Sequence, residues 1–68
     1  MLRQVGDVND WLPIVRAEYI EFPGMQLTRP QIRRLWNLDA ETCDRVVEAL
    51  EAERFLRRTR GDLYARAD

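Results

Sequence analysis

The chain contains no histidine, no serine and no lysine, and it has a single cysteine. Each absence excludes a chemistry. Without histidine, the usual general base near neutral pH and the commonest metal ligand are both missing. Ser-His-Asp and Cys-His nucleophiles cannot be assembled. One cysteine without histidine cannot complete an ordinary zinc site. It also rules out an intrachain disulfide, in keeping with a reducing compartment. Carboxylate-only catalysis is left, but the acids scatter over predicted solvent faces and do not converge. The sequence therefore reads as a non-enzyme with no cofactor and no metal.

Long hydrophobic runs are absent too. No stretch approaches the ~20 apolar residues of a membrane span, and Met1–Asp7 carries no apolar run of the signal-sequence kind. The expectation is a cytoplasmic protein. A chain of 68 residues makes one domain, 1–68, and buries only about 60% of its unfolded surface. Hydrophobic residues at 46% are enough for a small core and argue against disorder.

All eleven basic residues are arginine, and the net charge is −1. That balance gives no global sign of nucleic-acid binding, but the charge is unevenly placed. Residues 26–38 hold Arg29, Arg33 and Arg34 and no acid. Residues 39–54 hold Asp39, Glu41, Asp44, Glu48, Glu51 and Glu53 against Arg45 and Arg54. Residues 55–68 return to basic, with Arg57, Arg58, Arg60 and Arg66 against Asp62 and Asp68. Two basic segments bracket an acidic one.

Periodicity supplies the elements. Residues 1–8 lack it and read as a loop. A first helix is predicted over about 10–22, capped by Asn9 or Asp10, with Pro13 near the first turn, where a missing N–H costs little. Its stripe is Trp11, Leu12, Val15, Tyr19 and Phe22, read as core. Pro23-Gly24 ends it. Met25-Gln26-Leu27 is short and extended, a single strand able to pair with a later hairpin. Thr28-Arg29-Pro30-Gln31 is a capping-box pattern that opens a second helix over 29–36, with Ile32, Leu35 and Trp36 as its apolar face. Asn37 suits a turn residue with φ > 0. A third helix is predicted over 39–54, with Asp39 as N-cap and Cys43, Val46, Val47 and Leu50 at i, i+3, i+4 and i+7. Cys43 falls in that stripe and reads as a small buried apolar residue. A hairpin over 55–66 follows, turning at Thr59-Arg60-Gly61-Asp62, where Gly61 can supply a positive φ. The fold class is α+β, mainly α with a small β-hairpin.

Several stretches resemble a bacterial winged helix-turn-helix DNA-binding domain. They are Glu18-Tyr19-Ile20-Glu21-Phe22-Pro23-Gly24-Met25, Leu27-Thr28 with Gln31, and Arg34-Leu35-Trp36-Asn37-Leu38-Asp39. Cys43 and Phe55-Leu56-Arg57-Arg58-Thr59 with Tyr64 complete the likeness, which spans Glu18 to Arg66. It departs from the pattern at Asn37, where glycine is common, and in the acidity of the third helix. The resemblance implies a recognition helix at 39–54, a supporting helix at 29–36 and a wing at 55–66. It further implies binding to double-stranded DNA as a small regulator of transcription or accessory factor.

The implied DNA contacts are Thr28, Arg29, Arg33 and Arg34 on the second helix, Thr42 and Arg45 on the third, and Arg57, Arg58 and Arg60 on the wing. The plainer reading of Arg45 is an i,i+4 surface pair with Glu41. The plainer reading of the other arginines is that they neutralise the acidic helix and lie over apolar rim. On a helical wheel, Glu41, Arg45, Glu48 and Ala52 point away from the core, flanked by Asp44 and Glu51. That acidic face, Glu41/Asp44/Glu48/Glu51, supports a rival expectation, a protein-protein interaction module docking a basic partner. With no helix beyond the wing, a monomer or weak homodimer is expected.

Overall fold

The computed structural model describes residues 7–67. Of the irregular lead expected over residues 1–8, residues 1–6 lie outside them. The element order is α1 (Val8–Glu21), α2 (Arg29–Trp36), α3 (Ala40–Ala52), β1 (Leu56–Arg58) and β2 (Tyr64–Arg66). Strands β1 and β2 form an antiparallel hairpin with Leu56 opposite Arg66, Arg57 opposite Ala65 and Arg58 opposite Tyr64. Leu27 joins the free edge of β2: its N–H donates to the Tyr64 carbonyl (3.1 Å), and the Tyr64 N–H donates back (2.7 Å). The expected single strand before α2 is thus a one-residue bridge. Three helices and a hairpin in this order are compatible with a winged-helix-like topology.

Local chemistry sets the helix ends. Thr28 and Gln31 close a full capping box on α2: the Gln31 N–H donates to Thr28 Oγ1 (3.2 Å) and the Thr28 N–H to Gln31 Oε1 (2.8 Å). Asn37 takes the left-handed conformation (φ 54°), and Leu38 N–H donates back to the Arg33 carbonyl (2.8 Å). The end of α3 repeats that motif. Arg54 stands at φ 62°, Phe55 N–H donates to the Leu50 carbonyl, and Arg54 N–H donates to that of Glu51 (both 2.9 Å). This satisfies carbonyls that the helix leaves free. It also stops α3 at Ala52, short of the expected Arg54. In the hairpin turn, Asp62 (φ 62°) joins Gly61 (φ 88°) in the left-handed region.

Two expectations for α1 are corrected. The helix starts at Val8, with Asp7 as N-cap and no side-chain cap bond. Pro13 therefore lies in the second turn, where it removes a donor that the backbone would otherwise use. The helix also ends at Glu21, so Phe22 leaves the stripe and is 55% exposed. Leu35, expected on the buried face of α2, is 55% exposed as well, because α2 covers α3 through Ile32.

The core is built on α3, which packs against α1, α2 and β1. Cys43, Val46, Val47 and Leu50 from α3 meet Val15 and Tyr19 from α1, Ile32 from α2, Leu38 from the turn, and Leu56 and Tyr64 from the hairpin. Tyr19 donates its hydroxyl to the Tyr64 carbonyl (2.8 Å), tying α1 to the strand that Leu27 bridges. Burial pushes the Tyr19 phenol up to about 12. Its ring meets Phe55 edge-on, with centroids 6.3 Å apart. Arg16 reaches Glu53 (3.1 Å) and links α1 to the end of α3. Among the described residues, no helix is long and apolar enough to cross a membrane.

Candidate nucleic-acid interface

The nine residues singled out in the sequence fall into two groups. Five take part in hydrogen bonds that hold the domain together. Thr28 closes the capping box. Arg29 is a strut: its Nε donates to the Tyr64 hydroxyl (3.1 Å), Nη1 pairs with Asp44, and the guanidinium lies 5.5 Å from the Tyr64 ring centroid. The Tyr64 hydroxyl, then the Asp44 carboxylate, hold its pKa above the usual arginine value, against some desolvation. Arg33 Nε donates to the Leu38 carbonyl (3.4 Å) across the turn between α2 and α3. Thr42 is half-buried, and its N–H donates to the Asp39 cap (3.3 Å). Hydrogen bonds from the Thr42 side chain and backbone hold the Asp39 carboxyl below its ordinary range. Arg45 pairs with Glu41 (3.0 Å), the i,i+4 surface pair that spacing alone suggests.

The other four are exposed and less engaged. Arg34, Arg57 and Arg60 make no ion pair or side-chain hydrogen bond among the described residues. Arg58 has one loose contact, Asp62 at 3.9 Å. The wing arginines do not form one cluster. Strand alternation sends Arg57 and Arg58 to opposite faces of the hairpin. Arg58 turns toward α2 and shares with Thr28, Arg29, Pro30, Asp62 and Tyr64 a hollow of about 280 Å³. Arg57 lies on the other face, and Arg60 occupies the turn. The hairpin is thus basic on both sides and at its tip, and among the described residues Asp62 is the acid within it. Arg66 stacks over Phe55, 5.6 Å from its centroid.

The outward side of α3 is different. Glu41, Asp44, Arg45 and Glu48 are exposed, and Glu51 is half-buried. Its one arginine is held by Glu41, and Asp44 faces Arg29. Beneath this face Cys43 is buried, with Sγ 3.7 Å from the Arg29 carbonyl oxygen. Burial raises the thiol pKa, so the sulfur is an inert packing group. Among the described residues, no three His, Cys, Asp or Glu side chains converge on a common point for a metal ion.

Sequence reasoning missed one surface. Pro13, Ile14, Ala17 and Ile20 are exposed on the side of α1 opposite Val15 and Tyr19. The signal was present as apolar residues falling off the core stripe. Comparison with protein-family models, with curated proteins and with solved structures finds no match for this chain.

Proposed function

We propose that the domain binds double-stranded DNA as a small bacterial winged helix-turn-helix factor and grips the duplex backbone with its hairpin. The observation that carries this reading is the hairpin's charge. Among the described residues, Arg57 and Arg60 are exposed with no acid partner, and Arg58 has one 3.9 Å contact. Paired surface charges gain little from a new partner, whereas unpaired arginines release counterions when they meet phosphates. Thr42 and Arg45 on α3 add limited base readout, since Arg45 must first leave Glu41.

A second reading has its own observation. The exposed carboxylate of Glu48 makes no ion pair among the described residues, and Glu41 and Asp44 flank it. Such a face suits a basic protein segment better than a phosphate lattice.

Titration of the isotope-labelled domain with mixed-sequence duplex separates the two. DNA binding shifts the amides of Arg57, Arg58 and Arg60, with log affinity falling against log salt at a slope of roughly −2 to −3 for two to three phosphates. Absence of any shift at low salt with about 1 mM duplex, weaker than ordinary non-specific binding, removes the DNA reading and leaves the acidic face as the partner surface.

A further inference from the structure

A helix with one buried face ordinarily presents polar residues to water. Helix α1 does not. It is the least amphipathic of the three helices. Its outward side carries Pro13, Ile14, Ala17 and Ile20, followed by Phe22 just past its end. Ile20 and Phe22 are both 55% exposed. The acids along this helix are Asp10, Glu18 and Glu21, and its one base, Arg16, is engaged with Glu53. The outward face of α1 is therefore apolar with an acidic edge.

A second exposed apolar site lies beside α2. Leu27, Gln31, Arg34 and Leu35 line an open groove of about 400 Å³. Leu35 stands 55% exposed at its edge, and Arg34 has no ion pair among the described residues. Helix α2 contains three arginines and no acid. The groove is therefore apolar with a basic edge.

These two surfaces complement each other in charge, and neither complements itself. Two α1 faces brought together would set acids against acids, and two α2 grooves would set arginines against arginines. We infer that the chain associates with a second copy of itself head to tail, the α1 face of one copy seating its isoleucines on the Leu27/Leu35 groove of the next, with Glu21 against Arg34. A groove lined by Leu27, Gln31, Arg34 and Leu35 falls well short of the roughly 20–30 residues a side of a standard interface, so the association is weak and exchanges rapidly. The two surfaces differ, so the contact is heterologous and each copy keeps one free end. Growth then continues past the dimer.

Sedimentation equilibrium between about 20 µM and about 1 mM reads this directly, the range suited to a weak contact. The apparent mass of the wild-type chain rises above 8.1 kDa with concentration and shows no plateau at twice that value. Arg34→Glu alone and Glu21→Arg alone stay monomeric. An equimolar mixture of the two associates again, because each variant then meets its complement, and so does the chain carrying both changes. Far-UV circular dichroism confirms that each variant is folded. Leu35→Gln, at an exposed position, gives the same loss should a charge reversal disturb the fold. A wild-type chain that remains monomeric to 1 mM, a plateau at the dimer, or no recovery on mixing overturns the inference. The measurement contains no DNA, so its outcome is independent of the nucleic-acid reading.

Discussion

Tyr19 offers the sharpest test of how the fold is joined. Its hydroxyl donates a buried hydrogen bond from α1 to the hairpin, 2.8 Å to the Tyr64 carbonyl, and the residue is fully buried. Tyr19→Phe removes that bond and little else. The ring keeps its edge-on contact with Phe55. The Tyr64 carbonyl still accepts from the Leu27 N–H at 3.1 Å, so no acceptor is orphaned. The loss is then the net worth of one hydrogen bond, about 1 kcal/mol, and not the larger penalty of an unsatisfied buried group. The phenol adds a signature in pH. Burial pushes it up to about 12 in the folded chain, from an ordinary value of 10.0, so the folded state holds the proton more tightly. Its contribution is complete below the unfolded value and is lost as pH rises through the folded one. One unit above the unfolded value the loss is roughly 1.4 kcal/mol, about the size of the hydrogen bond. Urea denaturation of both proteins from pH 8 to 11.5 should show the wild type ahead by ~1 kcal/mol at pH 8. Its lead should shrink above pH 10 and vanish near pH 11. Groups common to both chains cancel in the difference. Equal stabilities at pH 8, or a constant gap across the range, refute the reasoning.

Arg54→Gly should stabilise the domain by ~0.5–1 kcal/mol, because Arg54 holds the left-handed position at the end of α3 (φ 62°) where glycine bears no steric cost. A higher urea midpoint with unchanged slope is the expected result, and a lower one would show that the Arg54 side chain contributes more than its backbone costs. Arg29→Met should cost about 1–1.5 kcal/mol, chiefly the part-buried bond to the Tyr64 hydroxyl, since the Asp44 pair is largely exposed. A double-mutant cycle with Tyr64→Phe measures the coupling, and additive effects would show that the strut carries no load.

Where the sequence was informative, the responsible chemistry was local. Helix α2 begins and ends where expected because both its signals lie within a few residues of each end: the Thr28/Gln31 box and a left-handed Asn37. The start of α1 was misplaced for the converse reason. Its N-cap, Asp7, makes no side-chain cap bond, so the helix extends back to Val8 through packing of that residue against the core. The Pro13 signal pointed to a start that tertiary contacts override. The same divide runs through the candidate site. Glu41–Arg45 was legible from its spacing of four residues. Arg29–Asp44 and Arg16–Glu53 join residues 15 and 37 positions apart, and only the packing of α2 and α1 against α3 brings them together.

Those long-range pairs bear on which element can meet a negatively charged partner. Helix α3 is central to the core, yet its outward face presents Glu41, Asp44 and Glu48 with a single arginine, already paired. Placing that helix deep in a major groove would bring three carboxylates toward phosphates and break the Arg45 pair to gain one base contact. Most affinity for DNA comes from neutralising phosphates, so the arrangement opposes tight insertion. The hairpin has the opposite balance, and its arginines are directed to both faces and the tip, a distribution suited to following a curved backbone and ill suited to reading one base edge. If the domain binds duplex as proposed, its sequence preference should be shallow, set by how closely Arg45 and Thr42 can approach once the hairpin is docked. Neutralising the exposed Glu48 with Glu48→Gln should tighten binding to all sequences alike, because it removes repulsion and leaves the Arg45–Glu41 pair in place. Tightening confined to one sequence would mean instead that the Glu48 carboxylate itself contacts bases.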